Sequence, residues 1–128
     1  MNQEKLIYEL QALLAGFLFA PRFLAELLEL IQGSGYEKQF LTCFRIRLRL
    51  LLADPVHIFQ RHEDFEHIEG GIYSMRLIGN GFNVRVLYAI SSEGAPILLL
   101  PFYERRGKHA TSYENYLETA KSRKREME

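Results

Sequence analysis

Apolar residues recur at helical spacing in the first half of the chain and at alternate positions in the second half. Residues 3–14 place Leu6, Leu10, Leu13 and Leu14 on one face, so the spacing predicts a short helix. The apolar run 15–20 has the length of a buried strand. Pro21 suits the first turn of a following helix, where its missing N–H costs nothing. Phe23, Leu24, Leu27, Leu28 and Ile31 form the apolar stripe of that helix, and Gly33 and Gly35 end it. Residues 36–53 carry two periods at once. Tyr36, Phe40, Phe44, Leu48 and Leu51 follow a helix, whereas 44–50 alternate like a strand. Length and the helix propensity of Leu and Arg favour the helix. Asp54-Pro55 stops it, because the residue before proline avoids the helical region.

The second half reads as strands. Residues 71–78 and 82–90 alternate, and Asn80-Gly81 between them is a strong hairpin signal. A two-residue turn there sets Tyr73 opposite Tyr88, Met75 opposite Val86 and Leu77 opposite Val84 on one apolar face. The other face then carries Ser74 beside Leu87, Arg76 beside Arg85 and Ile78 beside Asn83. Residues 97–103 make a third strand, buried through Leu100 and kinked or ended by Pro101. A basic loop spans 104–111, and a helix spans 112–124. The stretch 56–69 reads as an acidic, solvated connection.

These elements predict an α+β fold. Its sheet is small, twisted and mostly antiparallel, with about four strands packed against helices on one side: two N-terminal helices and a C-terminal one. The chain of 128 residues has room for one domain, 1–128, with residues 1–14 as a helical extension. Hydrophobic residues at 48% and charged residues at 25% argue against disorder. The longest uncharged apolar stretch, 10–21, is too short to span a bilayer, which needs about 20 residues. A cytoplasmic location is the expectation, with no membrane partner.

Net charge is zero, which argues against a polyanion binder held by bulk charge. The charges are nonetheless segregated. Residues 62–69 hold four acids and no Lys or Arg, while the segments on either side are net basic. His57, His62 and His67 stand five apart among these acids, a spacing that gathers them on neither a helix face nor a strand face. No metal site is therefore expected. The single cysteine, Cys43, sits among apolar residues and reads as core. No nucleotide-binding or hydrolase motif is present, so no cofactor is expected.

Two features carry candidate chemistry. Arg76 directly opposite Arg85 is a repulsive pair. Solvent, a carboxylate from 63–69 or a bound anion must compensate it, and a solvent-facing position is expected for both side chains. Guanidinium suits phosphate, because it donates two parallel hydrogen bonds. The second feature is Glu104-Arg105-Arg106-Gly107-Lys108-His109 closing at Tyr113. It follows a strand end directly, so its side chains can converge on the hairpin. Cations, a histidine and a tyrosine suit RNA backbone cleavage, which needs a base for the 2′-hydroxyl, positive charge for the phosphorane and an acid for the leaving oxygen. The plainer reading is a solvated basic loop.

The stretch Gly70-Gly71-Ile72-Tyr73-Ser74-Met75-Arg76-Leu77, then Val84-Arg85-Val86-Leu87-Tyr88, then Ile97–Tyr103 with the basic loop and last helix, resembles the RelE/ParE superfamily of type II toxin–antitoxin toxins. The resemblance covers roughly 15–125, and the N-terminal 14 residues extend beyond the usual family start. It implies ribosome-dependent, metal-independent mRNA cleavage in the RelE or HigB manner, with a cognate antitoxin, mRNA and the ribosome as partners. The alternatives it leaves open are a ParE-like inhibitor of DNA gyrase and an inactive partner-binding relative. Under the nuclease reading Arg85, Arg106, His109 and Tyr113 are the catalytic candidates, and Arg76, Arg105 and Lys108 contact RNA. Ser74 is a departure, since some members carry lysine there.

Overall fold

The computed structural model describes residues 1–105 and 111–128, so Arg106, Lys108 and His109 lie outside the described residues. Helix α1 spans Gln3–Leu14 and is capped by Asn2, whose side chain accepts from the Lys5 N–H at 2.8 Å. A two-residue strand β1 (Leu18–Phe19) follows, then α2 (Phe23–Ile31) and α3 (Glu37–Ala53). The helical reading of 37–53 is the observed one. Phe40, Phe44, Leu48 and Leu51 are its buried apolar stripe.

The sheet has five strands in the order β1-β5-β4-β3-β2. They are β2 (Phe65–Glu69), β3 (Ile72–Gly79), β4 (Phe82–Ile90) and β5 (Pro96–Tyr103), with β1 pairing parallel to β5 and all other pairs antiparallel. The architecture is thus α+β with a mixed sheet. The additional strand β2 lies inside the segment that reads as an acidic connection, because its two apolar residues, Phe65 and Ile68, do not alternate.

The hairpin register is the expected one: Tyr73 faces Tyr88, Met75 faces Val86, Arg76 faces Arg85 and Leu77 faces Val84. At the turn only Gly81 takes a positive φ, +98°, and Asn80 keeps a negative one. This is the turn chemistry that asks for glycine at its second central position. Strand β5 does not stop at Pro101. The Glu104 N–H reaches the Asn83 carbonyl at 2.9 Å, so by alternation the Pro101 nitrogen faces the outer edge, where no ladder bond is lost. A register shift against Leu87 and Tyr88 puts both Leu99 and Leu100 on one side of the sheet.

Helices cover both faces rather than one. Helices α1–α3 pack on the face that carries Met75, Leu77, Val84, Val86, Tyr88 and Leu98. Full burial of each large side chain there stabilises the fold by roughly 1.5–3 kcal/mol. Helix α4 (Glu114–Met127) lies on the opposite face against Ile72, Leu87, Ala89, Leu99 and Phe102, through Tyr113, Tyr116, Leu117 and Ala120. Arg123 ties α4 to α2: its Nη1 and Nη2 meet the Glu26 carboxylate at 2.6 and 2.7 Å, and Nη1 also donates to the Leu99 carbonyl at 2.8 Å.

Candidate functional site

Strand alternation puts Ser74, Arg76, Asn83 and Arg85 on the α4 face, toward the hairpin turn and past the apolar strip that α4 covers. A polar patch at one end of the sheet results. It is framed by β2 on one side and by the end of β5 on the other.

Arg85 is its centre. Its Nη1 donates to Glu66 Oε1 at 2.7 Å and to Ser74 Oγ at 3.1 Å, and its Nε donates to Glu104 Oε2 at 3.2 Å. The Arg85 side chain is 12% exposed and that of Glu104 8%, whereas Glu66 is 50% exposed. Asn83 Nδ2 also donates to Glu104, at 3.4 Å. The guanidinium therefore lies in a largely covered seat, with one buried carboxylate behind it and one half-exposed carboxylate in front. The expectation of a solvent-facing Arg85 is corrected: the carboxylates of Glu66 and Glu104 supply the compensation that the facing arginines require.

Arg76 is held separately. Its Nε and Nη2 donate to Asp64 Oδ1 at 3.2 and 3.0 Å. Arg47, from α3, donates from Nη2 to Asp64 Oδ2 at 2.6 Å and from Nε to the Arg76 carbonyl at 3.3 Å. Asp64 thus bridges a helix to a strand, and Arg76 serves that bridge rather than facing solvent. Sequence reading did not single out Arg47 or Asp64. The signal was there in the acid-rich stretch beside the basic helix, but spacing alone does not say which acid meets which base.

The remaining candidates divide. Tyr113 immediately precedes α4, and its ring stands edge-on to Phe102 at 5.3 Å; Phe102 is the register partner of Arg85. Tyr113 therefore stands one ring away from the Arg85 seat. Arg105 is exposed and lines a cavity of about 750 Å³ at the outer edge of β5, with Glu26, Glu29 and Tyr116 on its walls. Glu104, part of the basic loop in the sequence, faces Arg85 instead.

The three histidines go separate ways. His57 is 3.6 Å from Asp54, His62 accepts from the Asp64 N–H at 3.1 Å, and His67 packs on Phe59 and Tyr73. Burial pushes the Cys43 thiol above its ordinary pKa, which disfavours a thiolate. Tyr88 is fully buried and its hydroxyl has no hydrogen-bond partner among the described residues; burial first, then Tyr73, raises its pKa. No helix among the described residues is long and apolar enough to cross a membrane.

No protein-family model matches this chain, and no curated protein matches it in sequence.

Proposed function

We propose that the protein is the toxin of a type II toxin–antitoxin pair, a metal-independent and ribosome-dependent mRNA endoribonuclease that acts in the cytoplasm and is neutralised by a cognate antitoxin. The observation that supports this reading is the Arg85 seat. A guanidinium is held from behind by a buried carboxylate, Glu104, which directly follows strand β5 and in the sequence opens the basic segment. The resemblance of the hairpin and the final strand to the RelE/ParE superfamily points the same way.

In the proposed reaction Arg85 and Arg106 hold the scissile phosphate and stabilise the charge of the phosphorane. A base takes the proton of the 2′-hydroxyl, whose oxygen then attacks phosphorus. The bond to the 5′-oxygen breaks, an acid protonates that oxygen, and the products are a 2′,3′-cyclic phosphate and a 5′-hydroxyl. His109 and Tyr113 are the proton-transfer candidates, since imidazole titrates near neutrality. Arg76, Arg105 and Lys108 orient RNA. Charge stabilisation by guanidinium and proton transfer suffice for this chemistry.

The test is an in vitro translation reaction containing the protein, with cleavage sites mapped on the mRNA. Cuts that depend on translating ribosomes and disappear with Arg85→Ala support the reading. Intact mRNA together with blocked DNA gyrase replaces it with the ParE-like alternative.

A further inference from the structure

The two carboxylates on Arg85 are unequal, and the inequality says how an anion reaches the guanidinium. Glu104 is buried, bonds the Nε edge and is also held by Asn83. Glu66 is half exposed, bonds Nη1 and stands on the outermost strand, whose register breaks just beyond it, between His67 and Glu69. Ser74, the register partner of Glu66, is fully buried with its Oγ 3.1 Å from the same Nη1. Its hydroxyl accepts from Arg85 and donates to none of the described residues.

We propose that the Glu66 carboxylate occupies the seat of a backbone phosphodiester of single-stranded RNA, and that substrate enters by displacing it. The proposal rests on the reading of Arg85 as the phosphate-holding group. A carboxylate and a phosphodiester are both monoanions, so the exchange leaves the charge at Arg85 unchanged. The Nη1 donor that Glu66 releases is taken by a phosphate oxygen, and the Ser74 hydroxyl supplies a second donor to it. Glu104 stays in place and keeps the guanidinium aimed. The exchange is cheap, because a half-exposed ion pair contributes little net stability. Glu66 is thus a built-in competitor that weakens the seat for every anion unable to make further contacts.

The experiment titrates the full chain with a 2′-O-methyl RNA oligonucleotide, which binds but lacks the nucleophile. The Arg85 Nε–Hε resonance and the dissociation constant are followed together. Glu66→Gln removes the competing charge at almost unchanged shape, and Glu69→Gln removes one charge from the same strand away from Arg85. Glu66→Gln should tighten binding roughly three- to fivefold, the equivalent of one exposed ion pair. Glu69→Gln should change it by less than about 1.5-fold at physiological salt, where charges beyond roughly 8 Å are screened. In an Arg85→Ala background the Glu66→Gln gain should vanish.

Equal tightening by both substitutions, or weaker binding with Glu66→Gln, overturns the proposal. A parallel titration with inorganic phosphate separates the two sources of anion: a response as strong as that to the oligonucleotide overturns the backbone assignment. The failures are distinguishable. Displacement at Arg85 without mRNA cleavage sinks the nuclease reading and leaves the seat standing. Cleavage with an unmoved Arg85 resonance does the reverse.

Discussion

Arg76 and Arg85 stand directly opposite each other on neighbouring strands, and each is neutralised by a different acid of the same edge segment. Glu66 stands on β2 and Asp64 in the turn just before it, and each reaches one arginine. Like charges opposite one another in a sheet normally destabilise it. Here the compensation comes from acids on both sides of the hairpin, Asp64 and Glu66 at the β2 edge and Glu104 at the end of β5. The acidic stretch is therefore a structural partner of the hairpin.

The Asp64 bridge should matter to stability more than its neighbour. Asp64→Ala leaves two partly buried guanidiniums without their shared carboxylate, and the expected cost is about 1–3 kcal/mol. Glu66→Ala breaks only the half-exposed pair, and the expected cost is about 0–1 kcal/mol. Urea unfolding of the two variants should rank them in that order. Equal midpoints would show that Asp64 carries no special weight.

Arg85→Ala should abolish most cleavage and also lower stability. Loss of one phosphate-stabilising cation costs roughly 3 kcal/mol of barrier, or about a hundredfold in rate. Because Glu104 is 8% exposed and bonds Arg85 directly, truncation also leaves a buried carboxylate with one partner fewer. The expected cost to folding is about 1–3 kcal/mol. Arg85→Lys keeps the charge but loses the forked geometry, so it should recover more of the stability than of the cleavage rate. Thermal unfolding beside a cleavage assay reads both quantities.

Tyr88→Phe should be neutral or stabilising. The hydroxyl is buried without a partner among the described residues, and removal of an unpaired polar group relieves its desolvation cost. The ring, stacked on Tyr73 at 5.5 Å and edge-on to Phe65, is kept. A fall in midpoint of several degrees would mean that the hydroxyl has a partner after all, such as a buried water.

What the sequence made legible follows from the range of the interactions involved. The register of β3 and β4 was readable because a two-residue turn at Asn80-Gly81 fixes it locally. Helix α3 was readable from its stripe despite the strand-like alternation at 44–50. Strand β2 was not, because a short edge strand rich in acids has the composition of a loop. The candidates of the site were readable one by one as residue types. Their pairing was not: Glu66 meets Arg85 across 19 positions and Arg47 meets Asp64 across 17, distances that only the assembled sheet closes. The tie between α4 and α2 is a contact of the same kind, Arg123 to Glu26, 97 positions apart.

Tyr113 and His109 are the two side chains to which proton transfer is assigned, and substitution can separate their roles. The Tyr113 ring packs edge-on against Phe102, so the residue has a structural role whatever its hydroxyl does. Tyr113→Phe removes only the hydroxyl and keeps that contact, whereas Tyr113→Ala removes both. If the hydroxyl moves a proton, Tyr113→Phe should slow mRNA cleavage by ~10²–10⁴ with an unchanged midpoint of unfolding. If the ring alone matters, Tyr113→Phe should cleave like wild type, and only Tyr113→Ala should lose both stability and rate. His109→Ala supplies the complementary arm. A histidine that acts as general acid or base leaves a limb in the pH–rate profile near neutrality, and that limb should disappear in the variant. Cleavage that retains both its rate and its pH profile in His109→Ala and in Tyr113→Phe would remove both residues from the reaction. The carboxylates at Arg85 would then be the remaining described proton acceptors beside the guanidinium.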